Sequence, residues 1–316
     1  MLFLEILLLV VGMVLLIKGA DFFVDGSSNI AKALRIPAVI IGLTLVSMGT
    51  SAPELAVSIT AAIQGKNDIS LGNVVGSNTF NTFLILGASA MLIPLLVDKG
   101  MKKFDIPIML GIYALLLVFG FLITPGKLDI YESISLLVLF VGYMIFLFIR
   151  AKNDKTVEEE NTEPVSKKKI IISVILTIIG LAAIIFGSDL VVDNAEKLAL
   201  RFGMSQTMVG LTIVAVGTSL PELVTSVVAA IKKENDIAVG NVIGSNIFNA
   251  LLILGSTSTI LPLNLSNDSL IDLVVLFVSG LFVFIISRFS NNIKKWQGVL
   301  FVLLYIAYFV YVIIRG

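Results

Sequence analysis

The sequence contains no cysteine and no histidine, and only 14% of its 316 residues are charged. Without cysteine there is no disulfide framework, no thiol nucleophile and no thiolate metal site. Without histidine, imidazole acid–base chemistry and histidine-held zinc or iron are excluded too. Soluble domains carry about 25% charged residues, so this chain has too little polar surface to cover a large soluble fold. Its 22 basic and 22 acidic residues cancel, and no bulk charge points to nucleic acid. What remains is oil: 57% of residues are hydrophobic and the mean hydropathy is +1.04. The composition predicts an all-α polytopic membrane protein whose chemistry comes from carboxylates, hydroxyls, amides and backbone.

A bilayer core takes about 20 apolar residues per helix. Ten such runs are expected, at 2–20, 37–63, 69–95, 104–124, 129–150, 169–191, 204–231, 237–262, 270–287 and 295–315. The first has no basic start and no small-residue cleavage site, so it reads as a retained helix and not a signal peptide. The polar stretch 151–168 reads as a solvated linker. Alternating ten helices puts 17 basic residues on the linker's side and five on the other. That is a positive-inside bias. It predicts a cytoplasmic linker and both termini outside, in a cell or plasma membrane. Nothing in the sequence sets an oligomeric state.

The chain repeats itself at a constant offset of 168. Residues 43–87 and 211–255 are identical at 28 of 45 aligned positions. Weaker echoes pair Gly19, Asp21 and Asp25 with Gly187, Asp189 and Asp193, and Pro94 with Pro262. The expected organisation is a first five-helix repeat at 1–150, the 151–168 linker, and a second five-helix repeat at 169–316. Five crossings are odd, so the second copy enters from the opposite face and the repeats have inverted topology. Inverted repeats are a signature of secondary transporters, with the substrate site near the midplane where they meet.

Two ionisable residues, Glu54 and Glu222, sit well inside apolar runs, and they are repeat partners. A charge at a helix centre costs about 2.5–3.5 kcal/mol on insertion scales, and no Lys or Arg lies deep enough to pair with either. A proton or a mobile cation must neutralise them, so protons should compete with metal. Each belongs to Gly-Thr-Ser-x-Pro-Glu, at 49–54 and 217–222. Pro53 and Pro221 cannot bond the carbonyls of Gly49 and Gly217, which opens a break beside each carboxylate. Such breaks are tolerated at membrane depth where they line a polar cavity. The next helix of each repeat carries Gly-Asn-Val-x-Gly-Ser-Asn-x-Phe-Asn, at 72–81 and 240–249. Asn73, Ser77 and Asn81 share one helical face, and Ser245 and Asn249 another. Gly72 with Gly76, and Gly240 with Gly244, make a small-xxx-small pattern for close helix approach. The donors are all oxygen, which suits Ca²⁺ or Na⁺ and not transition metals. Two negative charges match one Ca²⁺ or about two Na⁺, so the ions should exclude one another, the basis of antiport.

These motifs resemble the paired α-repeats of the calcium/cation antiporter superfamily, most closely its sodium/calcium exchangers. The resemblance covers essentially the whole chain. It implies exchange of Na⁺ for Ca²⁺ by alternating access, no enzymatic activity and no cofactor, with the two ions as substrates and the bilayer as partner. It implies a Ca²⁺ site of Glu54, Glu222, Thr50 and Thr218. Flanking Na⁺ sites would use Ser47, Thr50, Ser51, Ser77 and Glu54 on one side. The other side would use the carbonyl of Ala215 with Thr218, Ser219, Glu222 and Ser245. The first and sixth helices would form a sliding gate bundle. Asn81 and Asn249 are amides where some family members carry Asp, which favours potassium-independent exchange. With only residues 151–168 between the repeats, no calcium-sensing domain is expected there.

Other readings use the same residues. A proton/calcium antiporter, or a potassium-dependent sodium/calcium exchanger, could work through the same carboxylates. An intramembrane protease could use two carboxyls as a dyad, but duplicated oxygen-rich surroundings fit a cation cage better. A passive channel is opposed by the broken helices and the two-fold site.

Overall fold

The computed structural model describes residues 2–153, 166–204 and 215–315. It is all-helical apart from four two-residue strands. The helices are α1 (Leu2–Leu34), α2 (Ala38–Thr50), α3 (Ala52–Ile63), α4 (67–92), α5 (Met101–Ile123) and α6 (Ile130–Asn153). Then follow α7 (Lys167–Arg201), α8 (Ala215–Gly217), α9 (Leu220–Ile231), α10 (Asn235–Ile260), α11 (Asn267–Phe289) and α12 (Lys295–Arg315). Among the described residues seven helices are long and apolar enough to cross a membrane, and α2 with α3, bent by 48°, makes an eighth. The expected spans at 69–95 and 204–231 fall outside that set. In α4 the polar run Asn73 to Thr82 dilutes the hydropathy, and α9 starts only at Leu220, after the break at Ser219, while the stretch before it includes 205–214, outside the described residues.

Two helices run well past their apolar spans. Helix α1 was expected to stop near residue 20, but no breaker intervenes before Ile36-Pro37, where the pre-proline position disfavours helix. Helix α7 likewise continues from 191 to Arg201, and it begins inside the expected linker, with the Ser166 hydroxyl capping the Lys169 N–H. The linker's other end, 151–153, closes α6, while 154–165 lie outside the described residues.

α1 and α7 pack antiparallel along a glycine seam with a period of seven: Gly12, Gly19 and Gly26 on one helix, Gly180 and Gly187 on the other. A Cβ at Gly19 would stand 2.9 Å from the Gly180 carbonyl, and one at Gly187 would stand 2.8 Å from that of Gly12. In lipid no hydrophobic force draws helices together, and close backbone approach at small residues replaces it. Helix α10 is the centre of the molecule, its apolar window 94% buried.

Elements recur at the sequence offset. α3 and α9 are 168 residues apart, as are the strands Leu95–Leu96 (β1) and Leu263–Asn264 (β3). β1 pairs antiparallel with Asn292–Ile293 (β4), and β3 with Lys127–Leu128 (β2), so each small ribbon joins the two repeats. Left-handed turn residues recur as well: Arg35 (φ 53°) matches Gly203 (φ 91°), and Lys233 (φ 64°) matches Gly65 (φ 75°). One repeat uses the residue that suits this conformation, and the other accepts a cation there at a cost of about 1–2 kcal/mol.

Buried charges also occur near helix ends, where the hydropathy pattern gave no sign of them. Arg150 Nη1 lies 2.6 Å from the fully buried Asp105, whose Oδ1 accepts from the Tyr143 hydroxyl at 3.1 Å. A second clamp joins α11 to α12: Arg315 bonds both oxygens of Asp272 at 2.9 Å, with the Tyr308 hydroxyl at 3.0 Å.

Candidate functional site

Helix breaks position the two glutamates. Ser51 (φ −83°, ψ 6°) and Ser219 (φ −95°, ψ 7°) take nearly the same conformation between an incoming helix and the next. Proline follows in the first turn of α3 and of α9, where its missing N–H costs nothing. Glu54 and Glu222 therefore stand in the first turn of their helices, fully buried, where the dipole favours negative charge.

The hydrogen bonds are exchanged between repeats. The Ser51 hydroxyl donates to Glu222 Oε1 at 2.8 Å, and the Ser219 hydroxyl to Glu54 Oε1 at 3.1 Å, with the Ser77 hydroxyl 3.1 Å from Ser219. Thr50 Oγ1 donates to Asn241 Oδ1 (3.1 Å) and Thr218 Oγ1 to Asn73 Oδ1 (3.3 Å). Each asparagine turns its amide back to its own repeat. Asn73 Nδ2 donates to Ser58 Oγ (2.8 Å) and the Glu54 carbonyl (3.3 Å). Asn241 Nδ2 donates to Ser226 Oγ (2.9 Å) and the Glu222 carbonyl (3.4 Å). Asn78 Nδ2 donates to the carbonyl of its own repeat partner, Asn246, at 3.0 Å, while the Asn246 amide donates to Thr82 Oγ1 at 2.8 Å.

The exchanged serine bonds bring the two carboxylates into one site, yet among the described residues no ion pair joins either of them to a cation. Glu54 Oε2 and Glu222 Oε2 are buried without a partner. So are both amide atoms of Asn81 and of Asn249. Each of these asparagines lies in a wider π-type turn, Phe80–Ile85 in α4 and Asn249–Ile253 in α10. π-turns inside helices occur frequently at functional sites. A buried polar atom without a partner costs about 1–3 kcal/mol, and these six form three repeat pairs of unused polar atoms, of which the four oxygens can ligate a cation. No group of three or more acidic or His/Cys side chains forms among the described residues. The formal charge of the site is therefore −2, and every other donor is neutral.

The family profile described as sodium/calcium exchanger protein matches residues 4–149 and 172–314. This chain belongs to that family. Among its relatives, the sodium/calcium exchanger MaX1 of Methanosarcina acetivorans is 36% identical over 343 aligned positions, covering 96% of this chain and 97% of that protein. The putative antiporter CaxA of Alkalimonas amylolytica is 41% identical over 257, covering 80% and 79%. Among solved structures, the sodium-calcium exchanger NCX_Mj soaked with 2.5 mM Na⁺ and 1 mM Sr²⁺ superposes with a TM-score of 0.87 at 34% identity. That match covers 98% of this chain and 99% of that one.

Within this member of the family the predicted residues fall into two matching hydrogen-bonded clusters, Glu54 with Ser219, Ser77, Asn73 and Thr218, and Glu222 with Ser51, Asn241 and Thr50. Ser47 and Ser245 meet each other beside it, the Ser245 hydroxyl donating to the Ser47 carbonyl at 3.4 Å. Ala215 opens α8, two residues before Gly217. The expected close approach is present at Gly244, where a Cβ would lie 2.7 Å from Ser47 Oγ, and at Gly240, 3.1 Å from the Gly42 Cα. At Gly72 and Gly76 an added Cβ would meet no described atom within 4 Å. The segment equivalent to the one packed on Gly240 and Gly244 includes 205–214, outside the described residues, and with it go the first four residues of the repeated stretch 211–255. Ser58 and Ser226, which hold the asparagine amides, were not singled out from the sequence. Their identity at the repeat offset was the available signal.

Proposed function

We propose that this chain is a secondary antiporter that exchanges Na⁺ for Ca²⁺ across a membrane by alternating access at a midplane site centred on Glu54 and Glu222. The observation that carries the reading is the pair of buried carboxylates, each with one unpartnered oxygen, beside the unpartnered amides of Asn81 and Asn249. Such a site has charge and ligands to offer a hard cation and no resident countercharge. Glu54, Glu222, Thr50 and Thr218 would hold Ca²⁺. Na⁺ would use Ser47, Ser51, Ser77, Thr50 and Glu54 on one side, and the Ala215 carbonyl, Thr218, Ser219, Glu222 and Ser245 on the other. A site of charge −2 is neutralised by one Ca²⁺ or about two Na⁺, so loading one expels the other. Because the site gives Na⁺ and Ca²⁺ nothing to transform, the chain acts as a transporter and not an enzyme.

The reading includes ten membrane helices in two inverted five-helix repeats, 1–150 and 169–316, with the termini outside and the 151–168 linker cytoplasmic. Supporting the inversion, each repeat's serine bonds the other's glutamate. Supporting the orientation, the two left-handed turns that hold cations, Arg35 and Lys233, belong to the side assigned to the cytoplasm, while Gly65 and Gly203 belong to the other. The deciding experiment is ⁴⁵Ca²⁺ uptake into proteoliposomes under separately imposed Na⁺, K⁺ and H⁺ gradients. Uptake driven by outward Na⁺ at fixed pH without K⁺ is expected. Uptake driven by H⁺ alone, or needing K⁺, would replace this reading with a proton/calcium or potassium-dependent antiporter.

A further inference from the structure

The two repeats match in their motifs but not in how the long helices lie. α1 packs along α9, whereas among the described residues neither α1 nor α7 packs along α3, the repeat equivalent of α9. Equivalent side chains register the difference: Thr225 on α9 is fully buried, while Val57 on α3 is 40% exposed. Beside α3 an open groove of about 360 Å³ is lined by Ala56, Val57, Thr60 and Ala61, with Gln64 and Lys66 at its end.

Charge follows the same asymmetry. Lys232, in the turn after α9, reaches two aspartates of α1, at 2.8 Å from Asp21 and 2.7 Å from Asp25, and donates to the Asp21 carbonyl at 3.1 Å. Glu234 in the same turn accepts from Ser28 of α1 at 2.8 Å, with Lys32 at 3.8 Å. At the sequence offset, Asp21 and Asp25 become Asp189 and Asp193 of α7, but Lys232 becomes Gln64 and Glu234 becomes Lys66. The aspartate pair is duplicated; its lysine is not. Among the described residues Asp189 and Asp193 form no ion pair.

We propose that Lys232 is a latch: it fastens the α1–α7 pair to the α9 side and biases the transporter towards the state closed on that face and open along α3. The proposal rests on the alternating-access reading above. The glycine seam makes α1 and α7 one body, so the contact with α9 and a contact with α3 compete. When the pair moves to α3, Asp189 and Asp193 meet a neutral glutamine, and Lys232 loses both aspartates. Near-identity of the repeats would make the two closed states nearly equal. Glu234 with Ser28 is exchanged for Lys66 with Glu196, one cation for one acid, whereas the lysine between two aspartates is lost outright, and that difference tips the balance. Lys232 touches no proposed ion ligand; it is a positioning residue.

The natural absence of cysteine makes the test direct. Spin labels on Asn29→Cys of α1 and Lys233→Cys of the α9–α10 turn report their separation by pulsed electron resonance in the reconstituted full chain. The parent is expected to show mainly a short distance. Lys232→Gln should raise the ratio of long to short populations about fivefold, the scale for losing two weak, part-exposed ion pairs together. Lys232→Arg should restore the parent ratio. Gln64→Lys, which supplies the missing cation to Asp189 and Asp193, should move the ratio the same way as Lys232→Gln although it adds a charge. An unchanged ratio in both Lys232→Gln and Gln64→Lys would overturn the latch, and so would opposite shifts in the two. Na⁺-driven ⁴⁵Ca²⁺ uptake by the parent, measured in the same vesicles, tests the exchange reading separately.

Discussion

Ser51 and Glu222, 171 positions apart in the chain, are joined by a 2.8 Å hydrogen bond, and Ser219 and Glu54 repeat the bond in reverse. Neither repeat completes its own carboxylate. Replacing either carboxylate by an amide removes one of the two charges and gives a neutral, partly donating group in its place. Glu54→Gln and Glu222→Gln are each expected to abolish Na⁺-driven ⁴⁵Ca²⁺ uptake. Near-normal uptake in either variant would refute the proposed site. Because the exchanged bonds are reciprocal, Ser51→Ala and Ser219→Ala should reduce uptake to similar extents.

The amides of Asn81 and Asn249 are buried and unbonded. If they are ligands in waiting, truncation removes no internal hydrogen bond. Asn81→Ala and Asn249→Ala should therefore leave the ion-free thermal midpoint unchanged or slightly higher. The upward shift produced by saturating Ca²⁺ should shrink, since stabilisation by a ligand follows its affinity. A lower ion-free midpoint with a full Ca²⁺ shift would mark them as structural.

Asp105 is fully buried, and the cation paired with it among the described residues is Arg150. Breaking a buried pair by removing one partner costs about 3–5 kcal/mol, whereas replacing both with apolar residues can be neutral. Arg150→Met is expected to lower the thermal midpoint in detergent strongly, and Arg150→Met with Asp105→Leu to recover most of the loss. An equal loss in both variants would show that the pair does not act as a unit.

At the glycine seam a Cβ on Gly180 would lie 2.7 Å from the Gly19 carbonyl. The clash is with backbone, which cannot swing aside as a side chain would. Gly180→Leu should cost about 1–3 kcal/mol or more through overpacking, read as a lower midpoint in a thermal melt followed by size-exclusion chromatography. Gly111→Leu, at a glycine where an added Cβ would meet nothing within 4 Å, should have little effect and serves as the control.

Glu54 and Glu222 were legible in the sequence because two charges in oil are conspicuous and the repeat supplied each with a twin. The hydroxyls and amides around them were legible as residue types in matched motifs. Their partners were not: a one-dimensional pattern cannot say that Ser51 serves Glu222 instead of Glu54, three residues away. Asn73 read as one end of a polar helical stripe, and the structure makes it the link between Thr218 and the Glu54 backbone. Asp105 went unnoticed because it stands at the end of an apolar run, where a hydropathy reading places solvent.

The sequence by itself determined the class of the protein, its duplication and the oxygen-only chemistry of its site. Those follow from composition, from the offset of 168, and from the absence of histidine and cysteine, all local properties of the chain. Only the tertiary structure decided which oxygens are already used and which are left for an ion. It also decided that α1 and α7 lock together through glycines seven apart, and that the pair lies against α9 and not α3. Hydrogen-bond partners and helix contacts join residues more than a hundred positions apart. They depend on how inequivalent surfaces of nearly equivalent repeats pack, and no period or motif encodes that choice on its own.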